Sequence, residues 1–258
     1  MDIEEFASLT AGLRSLGGQR VWSLVISLFG DLAQEPGQAI DGPVLSTIMA
    51  GLDVKPEAAR VALHRLRNDG WITSEKSGRI RRHSLTAQGR RESAAASPRI
   101  YADATLTNGK WQIVLTEHAA DLSQLGFTQI TPRIFAGPRS AKAPAEAMIL
   151  CAGAAPDWLR AQIADQRQQS GYADLLTALT ALRGNLPSPT ELPALHTAVL
   201  RCLVVHNWRR LVLRHPTLPA ALIDPEGAPH RCHVAVADLL ARYPRPSITE
   251  VEQSCATV

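Results

Sequence analysis

The chain has 258 residues, of which 45% are hydrophobic, and a formal net charge of +3, which suits one large globular domain or two to three small ones. It contains no run of about 18 uncharged apolar residues, so a membrane span is not expected. The acidic start MDIEEFASL argues against a signal peptide, and four scattered cysteines without a CxxC pair argue against a zinc site or a disulfide framework, so a cytoplasmic protein is expected.

The first fifty residues contain two helix signals. Residues 1–16 are expected to form a mobile or partner-contacting arm. From Arg20 the run VWSLVISLFGDL is apolar on almost every side, which predicts a well-buried helix. A loop with Pro36 and Gly37 follows, and Val44–Leu52 then has the pattern of a short amphipathic helix.

The stretch from Lys55 to Leu85 is strongly basic, with eight positive and three negative side chains. Pro56 suits the first position of a helix, Gly70 suits its left-handed end, and two strand-like runs follow. A helix fits the major groove of DNA, and a basic hairpin can reach phosphates, although a solvated basic face is the alternative. The predicted DNA-binding residues are Arg60, His64, Arg65, Arg67, Lys76, Arg79, Arg81 and Arg82.

The order of these elements predicts a winged helix-turn-helix domain, because three helices precede a hairpin and the third helix enters the groove in that arrangement. Arg60, His64 and Arg67 recur at helical spacing and are expected to face the bases. The hairpin side chains from Lys76 to Arg82 are expected to face the backbone. Thr86–Ser97 is expected to be a connecting helix, so this domain is predicted to span 16–98.

From Trp111 the sequence pattern changes, and candidate strands lie on both sides of a short helix predicted at Ala119–Leu125. This β-α-β-β order indicates a small ferredoxin-like middle domain over 99–155. From Pro156 the chain is rich in helix signals, so 156–245 is predicted to be a helical C-terminal domain for ligand sensing, dimerisation or both. The last dozen residues are expected to be a loose tail. The predicted fold class is therefore multidomain α+β.

A second group of candidate residues lies on the long helix predicted at Leu195–Leu213 and just after it. Guanidinium groups match phosphate geometry, so a cluster of arginines there is a candidate site for the phosphates of a CoA ester. A solvated helix face or a dimer contact is the alternative. The candidate ligand-binding residues are His206, Arg209, Arg210 and Arg214.

Motifs of enzyme chemistry are missing from the sequence. It has no nucleophile elbow, no phosphate-cradling glycine loop and no HExxH. His215, His230 and His233 have no carboxylate or cysteine at metal-ligand spacing. We therefore expect no catalytic activity, no cofactor and no metal.

Several short motifs resemble the PaaX-type transcriptional repressors and keep that family's order. They are Arg20-Val-Trp-Ser-Leu, Phe29-Gly-Asp31, the stretch from Arg60 to Trp71, Gly78-Arg79 followed by Leu85-Thr86, Arg99-Ile-Tyr101, Trp111, and the stretch from His206 to Pro219. The resemblance implies a cytoplasmic bacterial repressor of phenylacetate degradation that binds a palindromic operator as a homodimer. It also implies release from DNA by an acyl-CoA, phenylacetyl-CoA, and the same three domains.

The sequence departs from the family pattern near its C-terminus. His215 stands where the family has Asp, Trp208 stands where it has Tyr, and Ile223-Asp-Pro-Glu-Gly227 replaces a segment that contains Trp-Pro-Gly. A different acyl-CoA, another ligand or no ligand therefore stays open. Two further classes of function stay open as well, a metabolite-binding enzyme that carries a winged helix and a winged helix that serves protein contacts.

Overall fold

The computed structural model describes residues 3–17, 20–105, 110–163, 166–214 and 218–256. These residues form a mixed α+β protein with two small antiparallel sheets, which confirms the predicted class. The chain divides into two compact units, of which the first contains Met1–Ala102, Thr177–Arg210 and Ala235–Val258 and the second contains Asp103–Leu176 and Leu211–Val234. The division into three consecutive domains stays a prediction.

Ten α-helices and seven strands lie within the described residues. The helices are α1 (Ile3–Ser15), α2 (Val21–Leu32), α3 (Gly42–Gly51), α4 (Pro56–Asn68), α5 (Ala87–Ile100), α6 (Asp157–Ile163), α7 (Gln166–Arg183), α8 (Ala194–Val212), α9 (Ala228–Arg242) and α10 (Ile248–Cys255). The strands are β1 (Ile40–Asp41), β2 (Ile72–Ser77), β3 (Ile80–Leu85), β4 (Trp111–Leu115), β5 (Thr128–Thr131), β6 (Ile134–Pro138) and β7 (Met148–Ala152). Single 3-10 turns lie at Ser123–Leu125 and Ala220–Leu222.

The first sheet has the strand order β1-β3-β2, and both pairings are antiparallel. Along the chain, its strands and the neighbouring helices follow the order α2, β1, α3, α4, β2, β3. The apolar run predicted to be a buried helix is α2, whose Leu24, Val25, Leu28 and Phe29 are all buried. Contacts between α2 and α4 then place the basic helix on this core.

Helix α8 is the most buried helix of the first unit, because every residue from Leu195 to Trp208 is buried. A helix that is buried on all sides lies in the centre of its domain rather than on the surface. The Val199 side chain of α8 also packs closely on the end of α3, since a Cβ added to Gly51 would lie 2.8 Å from a methyl group of Val199. The absence of a side chain at Gly51 therefore permits this packing.

The expected N-terminal arm is instead helix α1, and it is packed. Phe6, Thr10 and Leu13 are buried, and the Phe6 ring stacks on the His196 ring with centroids 4.3 Å apart. The Asn207 amide also donates a hydrogen bond of 3.0 Å to the carbonyl of Leu13. The expectation of a mobile arm was wrong, because one side of this short segment carries enough apolar surface to join the core.

The expected C-terminal tail is also largely helical. Helix α10 begins with a capping box in which the Ser247 side chain accepts from the Glu250 amide, and the Glu250 carboxylate accepts from the Ser247 amide. Val251 is buried and anchors the helix to the first unit. The prediction of a loose tail was wrong for residues 248–255.

The second unit contains a four-stranded antiparallel sheet with the order β5-β6-β4-β7. One hydrophobic cluster contains Trp111 and Leu159, and a separate one contains Val114, Phe127 and Phe135. Trp111 and Val114 are three residues apart on one strand, so their side chains point to opposite faces of the sheet. The helix predicted at Ala119–Leu125 is reduced to the single 3-10 turn at Ser123–Leu125.

Candidate nucleic-acid interface

Helix α4 has one buried side and one exposed side. Pro56 occupies its first turn, and its buried residues, Ala59, Ala62 and Leu66, recur at a spacing of three and four. The small alanines let the helix approach α2 closely. All four predicted DNA-binding residues on this helix are exposed, namely Arg60, His64, Arg65 and Arg67.

The hairpin of β2 and β3 follows α4 and carries the other four predicted residues. Lys76 pairs with Arg81 across the strands, and Glu75 pairs with Arg82. Gly78 and Arg79 form the turn, and Gly78 has φ of 61°, a conformation that suits glycine. The side chains that the sequence predicted to contact the DNA backbone are exposed, and they are Lys76, Arg79, Arg81 and Arg82.

Local ion pairs on this surface are weak. Arg60 lies 3.9 Å from Glu57, Arg65 lies 3.3 Å from Asp69, and Arg82 lies 3.0 Å from Asp41. All of these side chains are at least half exposed except that of Asp41, which is 23% exposed. Such exposed pairs contribute little to stability, so these arginines can exchange a carboxylate for a phosphate at small cost. Arg67, Lys76, Arg79 and Arg81 have no acidic partner within ion-pair distance among the described residues.

The base of the hairpin is held by polar contacts. The His83 ring is buried and its Nδ1 lies 2.8 Å from the Ser74 hydroxyl. Burial lowers the pKa of His83, and the nearby Arg67 and Arg81 lower it further. His83 therefore serves as a neutral structural residue beneath the basic strands.

Hydrogen bonds and close backbone packing also link the hairpin to α5. The Thr86 hydroxyl donates to the Gly70 carbonyl at 2.5 Å and accepts from the Gly89 amide at 3.0 Å, which caps α5. A Cβ at Gly89 would lie 2.2 Å from the carbonyl oxygen of Trp71. Gly70, with φ of 74°, ends the preceding turn as the sequence predicted. The orientation of the hairpin relative to α4 thus depends on Thr86 and Gly89.

The candidate ligand-binding residues have different surroundings. His206 is fully buried, with its Nδ1 3.1 Å from the Ser27 hydroxyl, and burial together with Arg209 and Arg210 lowers its pKa to about 3. Arg209 is partly buried and donates to the same Ser27 hydroxyl at 3.1 Å. Both residues therefore hold α8 against α2.

The other two candidates lie in different units. Arg210 belongs to the first unit and donates to the carbonyls of Leu16 and Gly17. Arg214 belongs to the second unit and is exposed. A phosphate-binding role for His206, Arg209, Arg210 and Arg214 stays a prediction.

A buried charge network in the first unit was not foreseen from the sequence. Asp31 accepts two hydrogen bonds from Arg201 and a third, of 2.8 Å, from the hydroxyl of Tyr101. Arg245 adds a contact of 3.7 Å to the same carboxylate. Asp31 and Tyr101 both lie in motifs that carry the family resemblance. The only sequence signal for a partner was a carboxylate in an apolar helix, and that signal does not identify Arg201.

Across the described ranges, no group of three or more His, Cys, Asp or Glu side chains is arranged to hold a metal ion. None of the helices in the described part of the chain is long and apolar enough to cross a bilayer.

Comparisons with known proteins agree with the motif resemblance. The family model described as PaaX-like protein matches residues 20–89, and the model described as PaaX-like protein C-terminal domain matches residues 164–246. The transcriptional repressor PaaX of Escherichia coli (strain K12) is 26% identical over 266 aligned residues, covering 91% of this chain and 84% of the repressor.

A solved structure supports the fold over most of its length. The uncharacterized protein Rv0674 from Mycobacterium tuberculosis superposes with a TM-score of 0.52 at 17% identity, covering 91% of this chain and 97% of that one. At this identity the likeness concerns the fold alone. The two family models match in the order that the motifs predicted, and the similarity to the repressor extends along nearly the whole chain. This protein therefore belongs to the PaaX-type family.

Proposed function

We propose that this chain is a DNA-binding transcriptional regulator of the cytoplasm and that residues 16–98 form its winged helix-turn-helix domain. The observation that carries the proposal is the exposure of all eight predicted DNA-binding side chains on α4 and the following hairpin. The element order from α2 to β3 is the one expected of a winged helix. The similarity to a transcriptional repressor supports the same function.

Salt dependence tests the proposal. Binding of the full chain to a fluorescent duplex releases condensed counterions, so the logarithm of the association constant falls linearly with the logarithm of salt concentration. We expect a slope of several units, and a smaller slope for a variant in which Lys76 and Arg79 are both replaced by alanine. The matched control replaces Lys110 and Arg133, two cations of the second unit. Binding to a protein partner but not to DNA would contradict the proposal.

The remaining residues are proposed to form a ferredoxin-like middle domain over 99–155 and a helical C-terminal domain over 156–245. The four-stranded sheet supports the middle domain, because its first strand, β4, lies between the third and fourth strands, β6 and β7. Helices α6 to α9 support the C-terminal domain. Limited proteolysis should cut the chain near residues 98 and 155, and the pieces should stay associated under native conditions, because α8 packs within the first unit.

A dimeric repressor is the form of regulation that we propose. Two copies of α4 in successive major grooves require an inverted repeat with half-sites about one helical turn, roughly 10 base pairs, apart. The name of the Escherichia coli relative supports repression, and the family resemblance supports the dimer. A nuclease footprint should show two protected half-sites. Protection of a single asymmetric half-site would contradict the dimer.

An acyl-CoA such as phenylacetyl-CoA is the proposed inducer of an operon for aromatic-acid catabolism. The support is the family resemblance together with a cation on the surface of the second unit, Arg214. Induction is then a population shift, in which the ligand stabilises a form that fits DNA less well. Calorimetry with phenylacetyl-CoA should show saturable heat that Arg214→Ala reduces. Absence of heat would remove this inducer and leave DNA binding untouched.

A further inference from the structure

The outermost side chains of α4 form a single stripe. Residues 57, 61, 64 and 68 are spaced by four, three and four positions, so they lie on one face of the helix. The buried stripe of Ala59, Ala62 and Leu66 lies on the opposite face. The residues of the outward stripe are Glu57, Val61, His64 and Asn68, and all are exposed.

Val61 is the only apolar member of this outward stripe, and its residue surface is 70% exposed. A single exposed hydrophobic residue is ordinary on a protein surface. Val61 differs from such a residue in its position, because it lies at the centre of the basic surface, with Arg60 on one side of the stripe and Arg65 on the other. Valine also favours a helix less than alanine does, so helix stability gives no reason for it here.

The polar members of the stripe favour contact with base edges. The Asn68 amide lies 3.4 Å from Nδ1 of His64, so these two side chains are arranged along the same line as Val61. In the major groove, an asparagine pairs with adenine, whereas an apolar side chain contacts the 5-methyl group of thymine. Of the two flanking arginines, Arg65 can contact a phosphate on the wall of the groove, whereas Arg60 can contact a neighbouring base edge.

We propose that Val61 reads a thymine in each operator half-site by packing its methyl groups against the thymine 5-methyl group. The inference rests on the proposed DNA-binding function and deepens it, because it assigns a specificity-determining residue. The operator should then contain an A·T pair beneath the N-terminal half of α4. This pair is recognised by shape and apolar contact, without a hydrogen bond from Val61.

The test removes the thymine methyl group and the Val61 side chain, first separately and then together. A preferred duplex is first enriched from a randomised pool with the full chain, and each thymine in it is then replaced by uracil, which lacks only the methyl group. At one thymine of each half-site we expect the affinity to fall about fourfold, the value for burial of one methyl group. Val61→Ala should lower affinity for the thymine duplex, and uracil at that position should then cause no further loss.

Two controls separate this inference from the proposed function. Leu125→Ala removes an exposed apolar side chain of the second unit and should leave the uracil scan unchanged. The thermal midpoint of Val61→Ala should equal or slightly exceed that of the parent, because the side chain is exposed and alanine favours a helix more than valine does. If no uracil substitution changes affinity by more than twofold while salt-dependent DNA binding persists, the role of Val61 is overturned and the proposed function stands.

Two other results would overturn the role of Val61, one together with the proposed function and one without it. If no duplex is enriched from the pool, the proposed function fails and the thymine contact fails with it. If Val61→Ala changes the mass of the assembly in solution and leaves the uracil scan unchanged, Val61 belongs to a contact between protein copies and the thymine contact is overturned.

Discussion

Asp31 and Arg201, 170 residues apart in the chain, form a buried bidentate ion pair in which both N–O distances are 2.8 Å. The remaining guanidinium nitrogen of Arg201 donates to the carbonyls of Leu240 and Tyr243. The Tyr101 hydroxyl donates to Asp31, and burial raises the pKa of that hydroxyl. Each buried charge is therefore matched, and the pair links α2 to the central helix α8.

Removal of either partner should destabilise the first unit, because Arg201 would lose its carboxylate and Asp31 would keep only the longer contact with Arg245. We expect Asp31→Leu and Arg201→Met each to lower the free energy of unfolding by about 3–5 kcal/mol. Urea denaturation followed by circular dichroism measures this loss. The double variant should lose less than the sum of the single variants, since no lone charge remains.

An exposed ion pair provides the control for this experiment. Arg183 lies 3.2 Å from Asp238, and both side chains are about half exposed. Arg183→Met should therefore change the free energy of unfolding by less than about 1 kcal/mol. Equal effects at Arg183 and Arg201 would contradict the importance of the buried pair.

Stability should decrease in mild acid because of His206. Its pKa is lowered to about 3 in the folded chain, mainly by burial, so the folded state keeps the ring neutral while the unfolded state protonates it near its ordinary value. Between these two values the unfolded state binds more protons. The contribution of His206 to the free energy of unfolding is therefore complete above about pH 6.5. Below that pH the free energy of unfolding falls by about 1.4 kcal/mol per pH unit.

Urea denaturation between pH 7.5 and 4.5 measures this slope. His206→Asn retains a polar group opposite Ser27 but cannot ionise, so its stability should fall less steeply with pH. The pKa values of His83 and His196 are also lowered by burial, and their contribution stays in both proteins. Parallel pH slopes for the variant and the parent would show that His206 does not titrate in this way.

Arg60 and Arg79 should affect DNA binding differently. Arg60→Ala is expected to cost about 1–3 kcal/mol at the preferred site and to relax sequence choice, because this helix side chain faces the bases. Arg79→Ala should weaken binding to all sequences and reduce the salt slope by about one unit. Anisotropy titrations on the preferred and on a scrambled duplex separate the two effects. Identical, sequence-independent losses would show that these roles are wrongly assigned.

Gly89 should not tolerate a side chain. The Cβ of Gly89→Ala would lie 2.2 Å from the Trp71 carbonyl oxygen, so the joint between the hairpin and α5 must shift. We expect a lower thermal midpoint and weaker DNA binding. Gly30→Ala is the matched control, because its Cβ would meet Ser93 at an ordinary 3.7 Å within helix α2. It should stabilise the protein by up to about 1 kcal/mol. A Gly89→Ala protein as stable as the parent would contradict the close approach.

Local signals predicted the helix and the hairpin that carry the candidate interface. Pro56 and Gly70 mark the ends of a helix and its turn, and Gly78 marks a hairpin, because each residue type suits one backbone conformation. Charge then showed which surface was basic. These features depend on neighbours in sequence, and the structure has all of them at the expected positions.

Long-range packing was the part that the sequence did not predict. The pairing of Asp31 with Arg201 depends on how distant helices meet, and no local pattern specifies it. Helix α1 was missed although its buried residues Phe6, Thr10 and Leu13 recur at a helical spacing of four and three. Their partners in the core lie far along the chain, as the ring of His196 does for Phe6. The capping signature of Ser247 and Glu250 was present and would have predicted α10.

The most direct test of the central claim is a genome-wide map of the DNA bound by the full chain in its native cells. We expect discrete sites that contain an inverted repeat beside genes for aromatic-acid catabolism. The same map for a folded variant with Arg60 and Arg67 replaced by alanine should lose these sites. An unenriched map for the parent chain, or an unchanged map for the variant, would contradict the account.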